Sequence, residues 1–175
     1  MIVQSSLQRR LLTAALLVPL TLVAVLFLPT AAFALVWAAV LSTGVWEWAR
    51  LSGLDRLVEK ILFLMVFFMA LAGLWFLVPP VLDGPLLLLA CLWWGLTAWQ
   101  LTRMQQIDCA ETRDWALAAI GLGVLGAPWL ALVRLHALGD GQGPWLVMAL
   151  LMLIWITDSA AYFVGRQWGR RKLAP

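Results

Sequence analysis

One histidine, one tyrosine and two cysteines are all that these 175 residues offer to the commoner nucleophilic, acid–base and soft-metal chemistries. A lone histidine, His136, makes neither a metal site nor a triad, which excludes the Ser/His/Asp and Cys/His hydrolases. Cys91 sits in an apolar run and Cys109 in a charged loop, with neither metal-ligand spacing nor a disulfide framework. Charge is also scarce, at 12% of residues against about 25% in an ordinary globular domain. No long linker, low-complexity tract or internal repeat is visible, and nothing reads as a soluble domain.

What is abundant is apolar surface. Hydrophobic residues make up 64% of the chain, against about 45–50% in globular proteins, and no soluble protein of this size could bury them. They are gathered into six runs, roughly 11–28, 31–48, 61–82, 85–101, 115–133 and 144–164. About 20 such residues cross a bilayer as helix, so the expected fold is an all-α integral membrane protein of about six transmembrane helices in one polytopic domain. The breaks carry turn chemistry: Pro29-Thr30, then Pro79-Pro80 with Asp83-Gly84-Pro85, then Gly139–Pro144, "GDGQGP". Arg9-Arg10 and "AFA" at 32–34 hint at a cleaved signal. The first run is longer than the roughly 7–15 residues of a signal core, and hydrophobicity resumes at once, which favours a retained helix.

The net charge of +3 does not point to nucleic acid, because the cations are not clustered with aromatics on a soluble face. They follow the positive-inside rule instead. Arg9, Arg10, Arg50, Arg56, Lys60, Arg103, Arg113, Arg166, Arg170, Arg171 and Lys172 fall on one side, and only Arg134 on the other. Both termini are therefore expected in the cytoplasm. Trp46, Trp48, Trp99, Trp115, Trp129, Trp145 and Trp168 fall at the predicted boundaries, as an aromatic belt would place them.

Two ionisable residues lie within the apolar runs, and such residues are functional candidates by default. Glu47 in "VWEWAR" has Arg50 three residues on, and a snorkelling ion pair accounts for it. Asp158 is harder to dismiss. It lies fourteen residues into the sixth run, or roughly 21 Å along the axis, in the cytoplasmic third. At a helix centre an aspartate costs about 2.5–3.5 kcal/mol to insert, and somewhat less here. Tyr162 at i+4 and Gly165 at i+7 share its face, hydroxyls at Thr157 and Ser159 flank it, and small neighbours would admit a helix or a ligand. On these residues alone, structural and functional roles for Asp158 stay equally open. The tail "GRQWGRRK" is likewise either a positive-inside anchor or a phosphate-facing set, with Arg166 and Arg170 at i and i+4. "GDGQG" lacks the ending of a phosphate-binding loop.

The stretch 157–175, "TDSAAYFVGRQWGRRKLAP", resembles the motif D-[ST]-x-A-Y-x-x-G-[RK]-x-x-G-[RK]-x-K-L-x-P of the bacterial phosphatidate cytidylyltransferase, or CDP-diacylglycerol synthase, family. Asp158, Ala161, Tyr162, Gly165, Arg166, Gly169, Arg170, Lys172, Leu173 and Pro175 match as they stand, and "VWEWARLSGL" is similar to that family's opening portion. The resemblance implies attack of phosphatidate's phosphate on the α-phosphorus of CTP with Mg²⁺ and a second cation, at the cytoplasmic face of a bacterial inner membrane. By carry-over, Asp158 and Tyr162 would be catalytic and Asp158 a partial metal ligand, while Arg166, Arg170 and Lys172 would lie beside the phosphates. In that family the motif runs on into further helices and an Asp-rich signature bearing the principal metal ligands. The resemblance thus implies the N-terminal portion of such an enzyme, as a fragment, a frameshifted product or a degenerate relative. These residues alone are then not expected to turn over CTP.

The competing expectation is a non-catalytic polytopic protein, a small transporter or an assembly partner, supported by the poverty of intramembrane polar groups before Asp158. Against a transporter, no pair of Gly/Pro-broken helices occurs in matching halves. Oligomeric state is left open, a homo-oligomer included.

Overall fold

The computed structural model describes residues 2–101 and 113–169, with the side chains of 2–14 and 101 outside the description. The described elements are all helical. They are α1 (Ile2–Phe27), α2 (Thr30–Leu51), α3 (Leu57–Phe76), a 3-10 turn (Pro80–Leu82), α4 (Asp83–Leu101), α5 (Trp115–His136) and α6 (Gly143–Trp168). Five stretches are long and apolar enough to cross a membrane: α2, α3, Pro80–Gln100, α5 and α6, with Ala15–Phe27 of α1 a shorter apolar helix. The chain is an all-α, multi-pass membrane protein.

Helix ends fall where backbone chemistry dictates. The third run was expected to reach residue 82, but α3 stops at Phe76, because Pro79 and Pro80 supply no N–H to continue it. Pro85 and Pro144, by contrast, sit in the first turns of α4 and α6, where no intrahelical donor is needed. α1 begins well before the first apolar run, since nothing among residues 2–10 breaks a helix. α2 ends in a Schellman motif: Gly53 at φ 72° donates to the Arg50 carbonyl, and buried Leu54 donates to Ala49.

Packing falls into two compact units, Pro29–Arg134 and the pair Met1–Leu28 with Leu135–Pro175. In the first, two tryptophans tie α2 to α5 in opposite directions. Trp48 on α2 donates its indole N–H to the Leu117 carbonyl of α5 at 2.8 Å, and Trp129 on α5 donates to the Ala34 carbonyl of α2 at 2.9 Å. These pairs make the helices antiparallel. An indole N–H can only donate, so a buried tryptophan requires such an acceptor. Trp129, only 4% exposed, is therefore not a member of the expected lipid-facing belt, whereas Trp99, Trp115, Trp145 and Trp168 are well exposed. Gly121 makes the close approach possible, because a Cβ there would overlap the Trp48 indole. The joint is completed by Ser52, whose carbonyl accepts from the Asp114 N–H, and by Asp114, whose Oδ1 caps α5 through the Leu117 N–H.

Charges in this unit tie element ends together. Arg134 Nε lies 3.0 Å from Asp83 Oδ2, and Arg134 also donates to the Val78 carbonyl at 2.9 Å. The pair sits at the start of α4 and near the end of α5, where helix dipoles favour an anion and a cation respectively. Glu59 accepts both the Arg56 N–H at the start of α3 and the Arg113 guanidinium. Glu47 and Arg50, expected to pair, form no ion pair; both are exposed.

In the second unit α1 packs against α6. Val25 near the end of α1 would pass its carbonyl to the N–H four residues on, but that residue is Pro29. His136 supplies the missing donor: its Nε2 lies 2.9 Å from the Val25 carbonyl. A carbonyl only accepts, so the hydrogen is assigned to Nε2. The lone histidine, expected in an outer loop, is 5% exposed and closes a helix end. Replacing His136 with alanine is expected to lower stability by about 1–3 kcal/mol through the orphaned carbonyl. Thermal unfolding in detergent measures this, with His136→Gln recovering part of the loss. Identical midpoints for all three chains would refute the role.

Candidate functional site

The candidate site is the later part of α6. The helix starts at Gly143, pressed against the end of α5 so closely that a Cβ would overlap the His136 carbonyl. Gly143, Val147, Met148 and Leu151 form its buried stripe, at the helical spacing of one face. From Met152 onward no residue of α6 is buried. The helix closes with the Gly169 N–H donating to the Gly165 carbonyl at 3.0 Å.

Asp158, Tyr162 and Arg166 all lie on this exposed stretch, with Tyr162 52% exposed. Spacings of four residues place them about 6 Å apart along the axis, and each step turns only about 40° around it. A carboxylate, a phenol and a guanidinium thus line one side of a stretch of helix in which no residue is buried. Tyr162 packs edge-to-face on Phe163, ring centres 5.6 Å apart. Thr157 does not flank Asp158 as a free hydroxyl, because its Oγ1 turns back to the Leu153 and Ile154 carbonyls at 2.9 and 2.8 Å. Ser159 instead borders a shallow apolar depression with Met152, Trp155 and Ile156. Arg170 and Lys172, the other expected phosphate contacts, lie outside the described residues, as do Arg103 and Cys109.

The expected divalent metal can be tested against these donors. Among the described residues no three His, Cys, Asp or Glu side chains come together. Magnesium demands near-octahedral oxygen coordination, and one exposed carboxylate does not supply it. The described side chains do not fit a resident Mg²⁺ site. What they offer is an acceptor, a donor and a cation in line, suited to a polyanion at a membrane surface.

Sequence comparison bears on what that line of residues is for. The model of the cytidylyltransferase family matches residues 8–175, which includes all of α6. Phosphatidate cytidylyltransferase of Pseudomonas aeruginosa is 37% identical over 170 residues, 97% of this chain and 61% of that protein. The phosphatidate cytidylyltransferase of Haemophilus influenzae is 29% identical over 184 residues, covering 97% of this chain and 64% of its own length. The chain thus spans less than two thirds of each of these curated relatives. No solved structure matches it. With the family model covering nearly the whole chain, the protein belongs to the cytidylyltransferase family.

Proposed function

We propose that this chain serves CTP:phosphatidate cytidylyl transfer in the inner membrane of a bacterium. An oxygen of the phosphatidate phosphate attacks the α-phosphorus of CTP and a new phosphoanhydride forms. The bond from that phosphorus to the bridging oxygen of the β-phosphate breaks, and diphosphate leaves with the electron pair. CDP-diacylglycerol remains in the membrane. The observation that carries this reading is the family match running through α6, where Asp158, Tyr162 and Arg166 share one side. In this reading the distribution of Lys and Arg puts that end of α6 at the cytoplasmic face. A lipid phosphate in the leaflet and a soluble nucleotide would meet there.

The roles assigned to the chain's own groups follow from their chemistry. Arg166, with Arg170 and Lys172, neutralises phosphate charge; its planar fork suits two phosphate oxygens at once. Tyr162 donates its hydroxyl to a phosphate oxygen. Asp158, which can only accept while ionised, orients donors around the phosphates. Magnesium, expected from the motif, has no described ligand set here, and none of these roles depends on one.

A second reading, a non-catalytic membrane protein, has one observation in its favour. Asp158 and Arg166 form no ion pair among the described residues, and both, like Tyr162, are exposed. Membranes from cells depleted of their own enzyme would separate the two. The chain is co-expressed with the part of the Pseudomonas relative that the match does not reach, and CTP-dependent CDP-diacylglycerol is measured. Product is expected only when both parts are present. No product from two folded, membrane-inserted parts would favour the non-catalytic reading.

A further inference from the structure

The two hydroxyls beside Asp158 behave differently. In a helix away from water, a Ser or Thr hydroxyl ordinarily turns back to a carbonyl three or four residues earlier, its nearest acceptor. Thr21, Ser42, Thr43, Ser52, Thr97 and Thr157 all do so. Thr30 is engaged as well. Ser159 is the exception: among the described residues its hydroxyl makes no hydrogen bond. Exposure does not explain the difference, because Thr43 and Thr157 are exposed too and still bond the backbone.

Position separates the two. At about 100° per residue, Thr157 lies on the side of Asp158 away from Tyr162 and Arg166. Ser159 lies on their side, about 60° around the axis from Tyr162 and about 20° from Arg166. Along the axis it stands with Asp158 at the membrane-ward end of the polar line, with Tyr162 and Arg166 about 4.5 and 10.5 Å further on. One turn deeper is the apolar depression of Met152, Trp155 and Ile156, which Ser159 borders. A ligand at this boundary has its phosphate on the polar line and its hydrocarbon on the deeper turns. A soluble nucleotide coming from the cytoplasm meets Arg166 first, whereas a phosphate tethered to acyl chains is held at the depth of Ser159. Asp158 beside it can only accept while ionised, so an anion at this end needs a donor from elsewhere. We propose that Ser159 is a substrate-binding residue, donating its unengaged hydroxyl to a non-bridging oxygen of the phosphate monoester of phosphatidate. The assignment rests on the cytidylyl-transfer reading and deepens it, giving the inner end of the polar line to the lipid substrate.

The test uses the complemented chain, with phosphatidate and CTP varied independently. Ser159→Ala is expected to raise the phosphatidate KM about tenfold, the loss of one hydrogen bond to a charged group, with the CTP KM unchanged. Alanine is the better helix former, so folding is not at risk in this variant. Ser159→Thr, which keeps a hydroxyl, should restore most of the affinity. Thr157→Val removes a hydroxyl that already bonds the backbone and should leave both constants as they are. Wild-type kinetics in Ser159→Ala overturns the inference and leaves the cytidylyl-transfer reading in place. A rise in the CTP KM alone overturns it too, because the hydroxyl would then serve the nucleotide. A second measurement needs no turnover: calorimetric binding of dioctanoyl phosphatidate to the whole chain in mild detergent, without CTP. Ser159→Ala should weaken that binding about tenfold, while dioctanoylglycerol, which lacks the phosphate, should bind both chains equally poorly. Equal phosphatidate affinity in the two chains, or none in either, overturns the proposal, and this holds even where the complemented chain forms no product.

Discussion

Replacing Gly143 with alanine is expected to destabilise the protein by about 3 kcal/mol, the upper part of the range for overpacking a tight contact. The added methyl would overlap the His136 carbonyl oxygen and crowd the Leu135 carbonyl. These are backbone atoms, so no rotamer change relieves the clash. Either α6 moves off the end of α5, or the helix ends distort at the cost of the His136 bond to Val25. Thermal or detergent-induced unfolding, with monodispersity as a second readout, measures the effect. Gly139→Ala is the control, because a Cβ there meets nothing within 4 Å. If both variants unfold at the same point, the close approach at Gly143 is not a constraint.

Asp158→Asn should abolish most of the CDP-diacylglycerol formed by the complemented chain, by about 100-fold or more, as removal of one preorganised polar group does in other enzymes. Its stability should hold or rise, because asparagine removes the cost of a charge in a membrane helix. The two readouts move in opposite directions only if Asp158 works on substrate. A structural aspartate would lose stability on substitution and leave turnover per folded molecule unchanged. Tyr162→Phe and Arg166→Ala test the rest of the line, the second with a raised KM expected for a phosphate contact. Wild-type turnover in Asp158→Asn would remove this residue from the site.

Much of the fold was legible because hydrophobic run length is a direct physical requirement of a bilayer. The six runs correspond to α1 through α6, and their limits shift only where a proline withholds a donor, as after Phe76, or where no breaker intervenes, as before Leu11. That Asp158 and Tyr162 share a side was equally legible, since spacing on a helix fixes which side chains lie together, and the same spacing adds Arg166 to that side. Other roles were not. Trp129 reads as a belt residue, yet it faces the Ala34 carbonyl, because the register of two packed helices is not encoded in either one. His136 reads as a loop residue, although the Val25 carbonyl it serves was traceable in sequence to Pro29 four residues later.

By itself, the sequence determined that this chain is a multi-pass membrane protein, which runs are apolar helices, that Asp158 and Tyr162 share a side of α6 and which family motif they resemble. Each follows from properties local to a run: transfer energy, helical periodicity and residue identity. Only the tertiary structure decided that Trp48 and Trp129 tie α2 to α5, that Gly121 and Gly143 must lack a side chain, and that Arg134 holds Asp83. It also decided that α4 stands away from α3 and α5 and leaves an apolar groove. Those outcomes depend on contacts between segments tens of residues apart, where the geometry of approach selects the partner that a single run cannot specify.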